Sequence, residues 1–252
     1  MKNDVNNDEN ISELIVNDRC ITEQADMKDA IKIFWENIGG IDDEHDVPLP
    51  KMNFVKKNMV GLDSEISETE ISSYLKKLKN SKAAGLDDIP NEFYKNGGEV
   101  MIQNIYMLFR KIWEKEEVPT EWNACRVRLV HKGGHKSKKE IKNYRPIALN
   151  DTISKVFCGI INERLQQLVE LEGAISEAQN GFRRKRRGED NIYVVSQLIE
   201  NWIRTGSKGY LAFLDVEKAY DKVNREILCE ALQNVGVGKK IVNLIRSMYT
   251  KN

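Results

Sequence analysis

The sequence predicts an α+β fold, with helices and antiparallel strands in separate stretches rather than in βαβ alternation. Three observations carry that reading. Most of the chain after residue 66 repeats apolar residues at helical spacing. Residues 125–130 and 145–149 read as short strands on either side of a basic turn. The third is Tyr210-Leu211-Ala212-Phe213-Leu214, an unbroken apolar run between Gly209 and Asp215 that reads as a strand buried on both faces. A carboxylate held at the end of such a strand suits a divalent cation, because Mg²⁺ takes hard oxygen ligands in strict geometry.

With 252 residues the chain has length for one large or two small domains and for a sizeable core. Hydrophobic residues make up 40% and charged residues 31%, and no uninterrupted apolar segment reaches transmembrane length. The first twenty residues are polar and acidic, unlike a signal peptide. An intracellular protein of nucleus or cytoplasm, without a membrane partner, is expected. Cys20, Cys125, Cys158 and Cys229 form no CxxC pair, and with His45, His131 and His135 they offer no zinc spacing. Free thiols in a reducing compartment follow. The formal net charge of zero hides a division. Residues 1–70 hold 7 Lys and Arg against 17 Asp and Glu, a net of −10, whereas residues 126–187 hold 15 against 6, a net of +9. Such segregation points to a basic surface that meets a polyanion, and to an acidic leader.

Taken in order, residues 1–25 show little periodicity and many Asn, Asp and Glu, so poor order is expected there. Ala30, Ile31, Ile33, Phe34 and Trp35 support a short helix over 26–37, ended by Gly39-Gly40. Residues 41–65, with Pro48 and Pro50, read as a linker. Ser67 and Glu70 then form a capping box, with Ile66 placed to staple onto Ile71. Ile71, Tyr74, Leu75 and Leu78 give the apolar stripe of a helix that should stop near Asn80. A second helix, 99–115, turns Ile102, Ile105, Leu108, Phe109 and Ile112 to one face. In the strand 125–130, Cys125, Val127 and Leu129 should point inward and Arg126 and Arg128 outward. Gly133-Gly134 lead through a long loop to the strand 145–149, completing a hairpin. A helix of about twenty residues follows, with Ile153, Val156, Phe157, Ile160, Ile161 and Leu165 as its core face. After Gly173 comes a polar, basic loop. A helix over 192–203 carries Val195, Leu198, Ile199 and Trp202, and two more helices occupy 224–233 and 239–249. The organisation is an acidic segment and linker over 1–66 and one further domain over 67–252.

Four blocks recur in a recognisable order: K-A-A-G-L-D-D-I-P-N-E-F-Y-K at 82–95, W-N-A-C-R-V-R-L-V-H-K-G-G through N-Y-R-P-I-A-L-N-D-T-I-S-K-V-F between 122 and 165, Q-N-G-F-R at 179–183, and F-L-D-V-E-K-A-Y-D at 213–221. Together they resemble the reverse transcriptases of non-LTR (LINE-type) retrotransposons over about three quarters of the chain. The resemblance implies the fingers and the incomplete palm of a right-hand polymerase. It also implies Mg²⁺ as cofactor, and an RNA template, a DNA primer and deoxynucleoside triphosphates as partners.

What it implies for single residues follows from the matching positions. Asp215 is similar to the first metal-binding aspartate of the palm, with the carbonyl of Val216 as an extra ligand. Two cations about 3.5–4 Å apart would stabilise the attacking and leaving oxygens. Tyr220 matches the aromatic beneath the incoming sugar, and Asp221 a structural acid. Lys132 and Arg145 resemble residues that grip the triphosphate, Arg as a planar fork and Lys as a point charge. Gln179, Gly181 and Phe182 match the block along the template, which places Arg183, Arg184, Arg186 and Arg187 beside backbone phosphates. That basic run also reads as a solvated loop or a nuclear-import signal. The run from His131 to Ser137 lacks P-loop spacing.

The sequence also departs from the family. Relatives carry Pro where Ala84 and Leu86 stand and Gly where Asp88 stands, and the added carboxylate weakens phosphate contacts nearby. The family's paired aspartates after the palm strand have no match here, since Asp42-Asp43 and Asp87-Asp88 lie upstream. The expectation is therefore a reading frame cut off within the palm, holding half of the metal ligands and inactive alone. A non-catalytic nucleic-acid-binding module and a decayed transposon product remain open. A central strand without neighbours should leave 205–252 less protected than 125–170 and prone to self-association.

Overall fold

The computed structural model describes residues 12–39, 62–171, 173–216 and 218–249. The linker expected over 41–65 lies almost wholly outside these, as do residues 1–11. The described elements are β1 (Leu14–Val16), β2 (Arg19–Ile21), α1 (Gln24–Gly39), α2 (Glu68–Lys77), α3 (Asn91–Lys95), α4 (Gly98–Lys115), β3 (Arg126–His131), β4 (Tyr144–Leu149), α5 (Thr152–Leu171), α6 (Gly188–Thr205), α7 (Arg225–Val235) and α8 (Lys239–Ser247). Helices and small antiparallel sheets are segregated, as the α+β expectation required.

The main core forms where α2, α4 and α5 meet. Ser67 caps α2 through the expected box: its Oγ accepts from the Glu70 N–H at 3.3 Å, and its own N–H donates to Glu70 Oε2 at 2.8 Å. Ile66 and Ile71 both enter the buried cluster, as a staple requires. Ile71 and Leu75 of α2 pack with Ile105, Phe109, Ile112 and Trp113 of α4 and with Val156, Phe157, Ile160 and Ile161 of α5. Phe109 and Phe157 meet edge to face, ring centroids 5.0 Å apart. At Gly159 the end of the Tyr74 ring occupies the space a Cβ would need, so α2 and α5 approach closely. The α7–α8 pair closes the same core with Cys229, Val237, Ile241, Val242 and Leu244. Val118 N–H donates to Ser247 Oγ at 3.1 Å and Asn243 Nδ2 to Glu116 Oε2 at 2.7 Å, pinning α8 to the end of α4.

One ion pair ties these layers together. Arg164 of α5 donates through Nε and Nη2 to the two Glu70 oxygens at 2.7 and 2.8 Å, and through Nη1 and Nη2 to the carbonyls of Leu62, Ser64 and Glu65. Its guanidinium lies 5.4 Å from the Trp113 ring centroid. Burial raises the Glu70 pKa, but hydrogen bonds from Arg164 and Ser67 outweigh it and hold the carboxyl at about 2.

Three expectations are corrected. Residues 14–21, expected to be poorly ordered, form a hairpin of three-residue strands, Leu14 opposite Ile21. With Met27 and Ile141, Leu14 and Val16 build a second small core. In β3, Val127 is exposed rather than inward, because β3 and β4 form a two-stranded ribbon. The third concerns residues 210–214, which form no strand. Phe213 is 85% and Leu214 95% exposed. A strand exists only where its N–H and C=O groups find a lateral neighbour. Among the described residues both sheets pair internally, β1 with β2 and β3 with β4, and neither reaches this segment. The helix α6 stands beside it with no buried residue. Residues 207–216 are exposed, whereas α7 and α8, within the 205–252 stretch expected to be less protected, belong to the main core.

Because the Glu70 pKa is depressed below its ordinary 4.5, its stabilising contribution is complete above about pH 4.5 and is lost as pH falls toward 2. Arg164→Ala should cost roughly 2–3 kcal/mol, somewhat below the figure for a fully buried pair. Glu70→Gln should flatten the loss of stability between pH 4.5 and 2. Urea unfolding followed across that pH range checks both.

Candidate functional site

The β3–β4 register decides which side chains share a face. Val130 lies opposite Arg145 and His131 opposite Tyr144. The ladder continues one step, as the Lys132 N–H donates to Asn143 O at 2.8 Å. With alternation, Arg126, Arg128, Lys132 and Arg145 all project from one face of the ribbon. Lys132 and Arg145 are diagonal neighbours there, roughly 7–8 Å apart by strand geometry. Both are exposed. Lys132 Nζ donates to Lys142 O at 2.5 Å, and the Arg145 side chain has no charged or hydrogen-bonded partner among the described residues. The sequence-predicted pair is thus brought together at the loop end of a basic ribbon.

Asp88 modifies that face. Its φ is +54°, in the left-handed region that favours glycine, the residue that the resemblance implies at this position. Its Oδ1 lies 3.0 Å from Arg126 Nη1. The departure seen in sequence therefore neutralises one of the four cations of the ribbon.

The basic loop after α5 sorts its arginines into two kinds. The Arg183 side chain is 5% exposed and paired with Glu170 at 2.8 Å and Glu177 at 3.3 Å. It also donates to the carbonyls of Ser176 and Gln179. These partners raise the Arg183 pKa further, and its hydrogen bonds lower that of Glu170. Arg186 pairs with Glu177 and donates to Asn180 Oδ1 at 3.2 Å. By contrast Arg184 is exposed, with one hydrogen bond to Gln166 at 3.2 Å. Arg187 is exposed too, and its backbone N–H donates to Asp190 at the start of α6. Gln179 and Gly181 lie on the exposed side of the same loop, joined by a hydrogen bond from Gln179 Nε2 to Gly181 O at 3.2 Å.

Phe182, with φ of +62°, is 86% exposed and meets Tyr220 edge to face, centroids 6.2 Å apart. The two aromatics that the resemblance assigns to template and sugar are therefore neighbours. A left-handed bulky residue is uncommon and marks a constrained site. Lys185 of the basic run sits in the same loop, also at positive φ.

Asp215 stands apart. It and Val216 lie in the unpaired segment, exposed. Among the described residues no group of three His, Cys, Asp or Glu side chains converges to hold a metal ion. A single exposed carboxylate does not fit a two-cation site, because each hard cation needs several convergent oxygens. No helix of the described residues is long and apolar enough to cross a membrane.

Residues 134–252 match the family of reverse transcriptases (RNA-dependent DNA polymerases). Among curated relatives, a 149 kDa protein of transposon TX1 from Xenopus laevis is 28% identical over 188 residues, covering 75% of this chain and 14% of that protein. A probable RNA-directed DNA polymerase from the transposon X-element of Drosophila melanogaster is 32% identical over 157 residues, 61% of this chain and 17% of its own length. A Pol polyprotein from the type-1 retrotransposable element R2 of Popillia japonica is 34% identical over 132 residues, 51% of this chain and 17% of its own length. The chain thus spans 14 to 17% of the length of these relatives.

Asp88→Gly should release Arg126 and remove a left-handed non-glycine residue. The expected outcome is tighter binding to a single-stranded RNA by about three- to tenfold at low salt, with equal or higher thermal stability. Fluorescence anisotropy and a thermal melt check it.

Proposed function

We propose that this chain, part of a reverse transcriptase domain of the non-LTR retrotransposon type, supplies the surfaces on which an RNA-directed DNA polymerase grips its incoming deoxynucleoside triphosphate and its template. The observation that carries the reading is the placement of Lys132 and Arg145 on one face at the loop end of the β3–β4 ribbon. An arginine fork fixes the orientation of a phosphate, and a neighbouring ammonium adds charge without demanding geometry. Lys132 Nζ rests on a neutral carbonyl, a partner that a triphosphate would outcompete. The exposed aromatics Phe182 and Tyr220 offer rings for a base and a sugar. Arg184 and Arg187, left exposed by the loop, supply charge for the template backbone, while Arg183 and Arg186 hold the loop's shape.

Mg²⁺ enters this reading through Asp215 and the Val216 carbonyl, which would require further carboxylates to close a site. By itself the polypeptide is therefore proposed to bind rather than to polymerise. A non-catalytic nucleic-acid-binding module is the second reading, favoured because no further His, Cys, Asp or Glu side chains among the described residues converge with Asp215.

Binding to single-stranded RNA should weaken steeply with salt. Replacing Arg184 and Arg187 with Gln should flatten the log–log slope by about 0.7 for each phosphate that is no longer neutralised. Arg183→Gln should instead hasten trypsin cleavage within 176–187. An unchanged slope in the double variant would move the template-binding surface elsewhere.

Primer extension on an RNA template, with Mg²⁺ and all four deoxynucleotides, should yield no product from this polypeptide. Incorporation that Asp215→Asn abolishes would overturn that expectation and favour the enzyme over the binding module.

A further inference from the structure

Residues 12–39 touch both halves of the candidate nucleotide site. On one side, Ile15 of β1 forms a parallel bridge with Glu140, and its N–H donates to Lys139 O at 2.6 Å. Lys139 also pairs with Glu13. Ile141, 2% exposed, completes the small core of Leu14, Val16 and Met27. These contacts fall on the loop that holds Lys132, whose Nζ and N–H donate to the carbonyls of Lys142 and Asn143. On the other side, Phe34 of α1 lies beneath Lys218, with Nζ 5.6 Å from the ring centroid. Lys218 sits between Asp215 and Tyr220 with φ of +52°. A left-handed lysine persists only where its surroundings hold it.

We infer that residues 12–39 are a brace joining the 137–143 loop to the turn that begins at Lys218, and so set the geometry of the triphosphate site. The second clause rests on the reading of Lys132 and Arg145 given above. A two-stranded ribbon is marginally stable in water by itself, and β3–β4 is largely exposed on both faces. The bridge, the ion pair and the buried Ile141 fix its loop end. The cation–π contact ties the turn to the same body. Glu13, Ile15, Ile141 and Phe34 are positioning residues in this account; none touches the substrate.

Amide hydrogen exchange on the full chain tests the brace. Lys132 and Asn143 report the loop, and Lys222 and Val223 the turn, since each N–H has a backbone acceptor. Glu13→Lys should speed exchange at Lys132 and Asn143 about three- to tenfold, and the swap Glu13→Lys with Lys139→Glu should restore it. Phe34→Leu keeps the apolar bulk but removes the ring, and should speed exchange at Lys222 and Val223 about two- to threefold. Interior amides of α1 show whether residues 12–39 stay folded. If Glu13→Lys also unprotects α1, the swap decides: restored protection at Asn143 upholds the brace, and unrestored protection overturns it. Unchanged exchange at all four amides in both single variants overturns it as well. Photocrosslinking of deoxythymidine triphosphate with Mg²⁺ is run beside these measurements, with yield expected to fall in both single variants and return in the swap. No crosslink in the unmodified chain would overturn the triphosphate reading, while exchange would still decide the brace.

Discussion

The Arg164 guanidinium is the constraint on which the described fold depends. Its side chain is 11% exposed, so its charge must be met by the protein rather than by water. Glu70 meets it with two oxygens, and three carbonyls of 62–65 take the remaining donors. Because Glu70 also closes the capping box of α2, the same carboxylate fixes the start of one helix and the flank of another. Trp113 covers the plane of the guanidinium from α4. Three helices and a loop therefore share one set of atoms. The apolar cluster behind them gains its burial only in the arrangement that satisfies this arginine. From that body β4 runs directly into α5, which is how a packing constraint around residue 164 comes to aim Arg145.

Arginine in this chain serves two purposes that composition cannot distinguish. The net of +9 over 126–187 counts every cation alike. In the structure Arg164, Arg183 and Arg186 are spent on carboxylates and carbonyls, and Arg126 is matched by Asp88. Lys132, Arg145, Arg184 and Arg187 remain exposed to solvent. A basic run such as 183–187 therefore folds itself before it can bind anything. Two of its arginines are anchored on Glu170 and Glu177, and that anchoring turns their neighbours outward. Like charges so close together are tolerable because the anchored pair has already been neutralised.

How much of this was legible in the sequence depends on where each element finds its partners. The helices α2, α4 and α5 were readable because a helix satisfies its own backbone, leaving only caps and an apolar stripe to recognise. Ser67, Glu70 and the 71-74-75-78 stripe contain that information locally. The β3–β4 ribbon was readable for the same reason, since both strands lie within one stretch of chain. The β1–β2 hairpin was not. Three-residue strands among acidic and amide residues carry almost no periodic signal, and half of the core they bury comes from Met27 and Ile141. Of the candidate site, Lys132 and Arg145 were legible through the resemblance of the blocks around them, and the β3–β4 register then sets them on one face. The Phe182–Tyr220 contact did not, because nothing in either local stretch specifies it.

The segment 210–214 shows the same rule from the other side. Its composition has the marks of a buried strand, yet burial and pairing are properties of neighbours and not of the segment. Holding its five residues in one backbone conformation costs roughly 1–2 kcal/mol each. Burying Phe213 and Leu214 would return roughly 1.5–3 kcal/mol each, which alone does not close the gap. Lateral hydrogen bonds from an adjoining strand and burial of Tyr210 and Leu211 are needed as well. Asp215 can therefore be a precise metal ligand only when the strand before it is paired. The order of this proposed metal ligand and the order of the sheet are then one equilibrium. On that equilibrium the brace from residues 12–39 acts only at the far end, through Lys218 and Phe34.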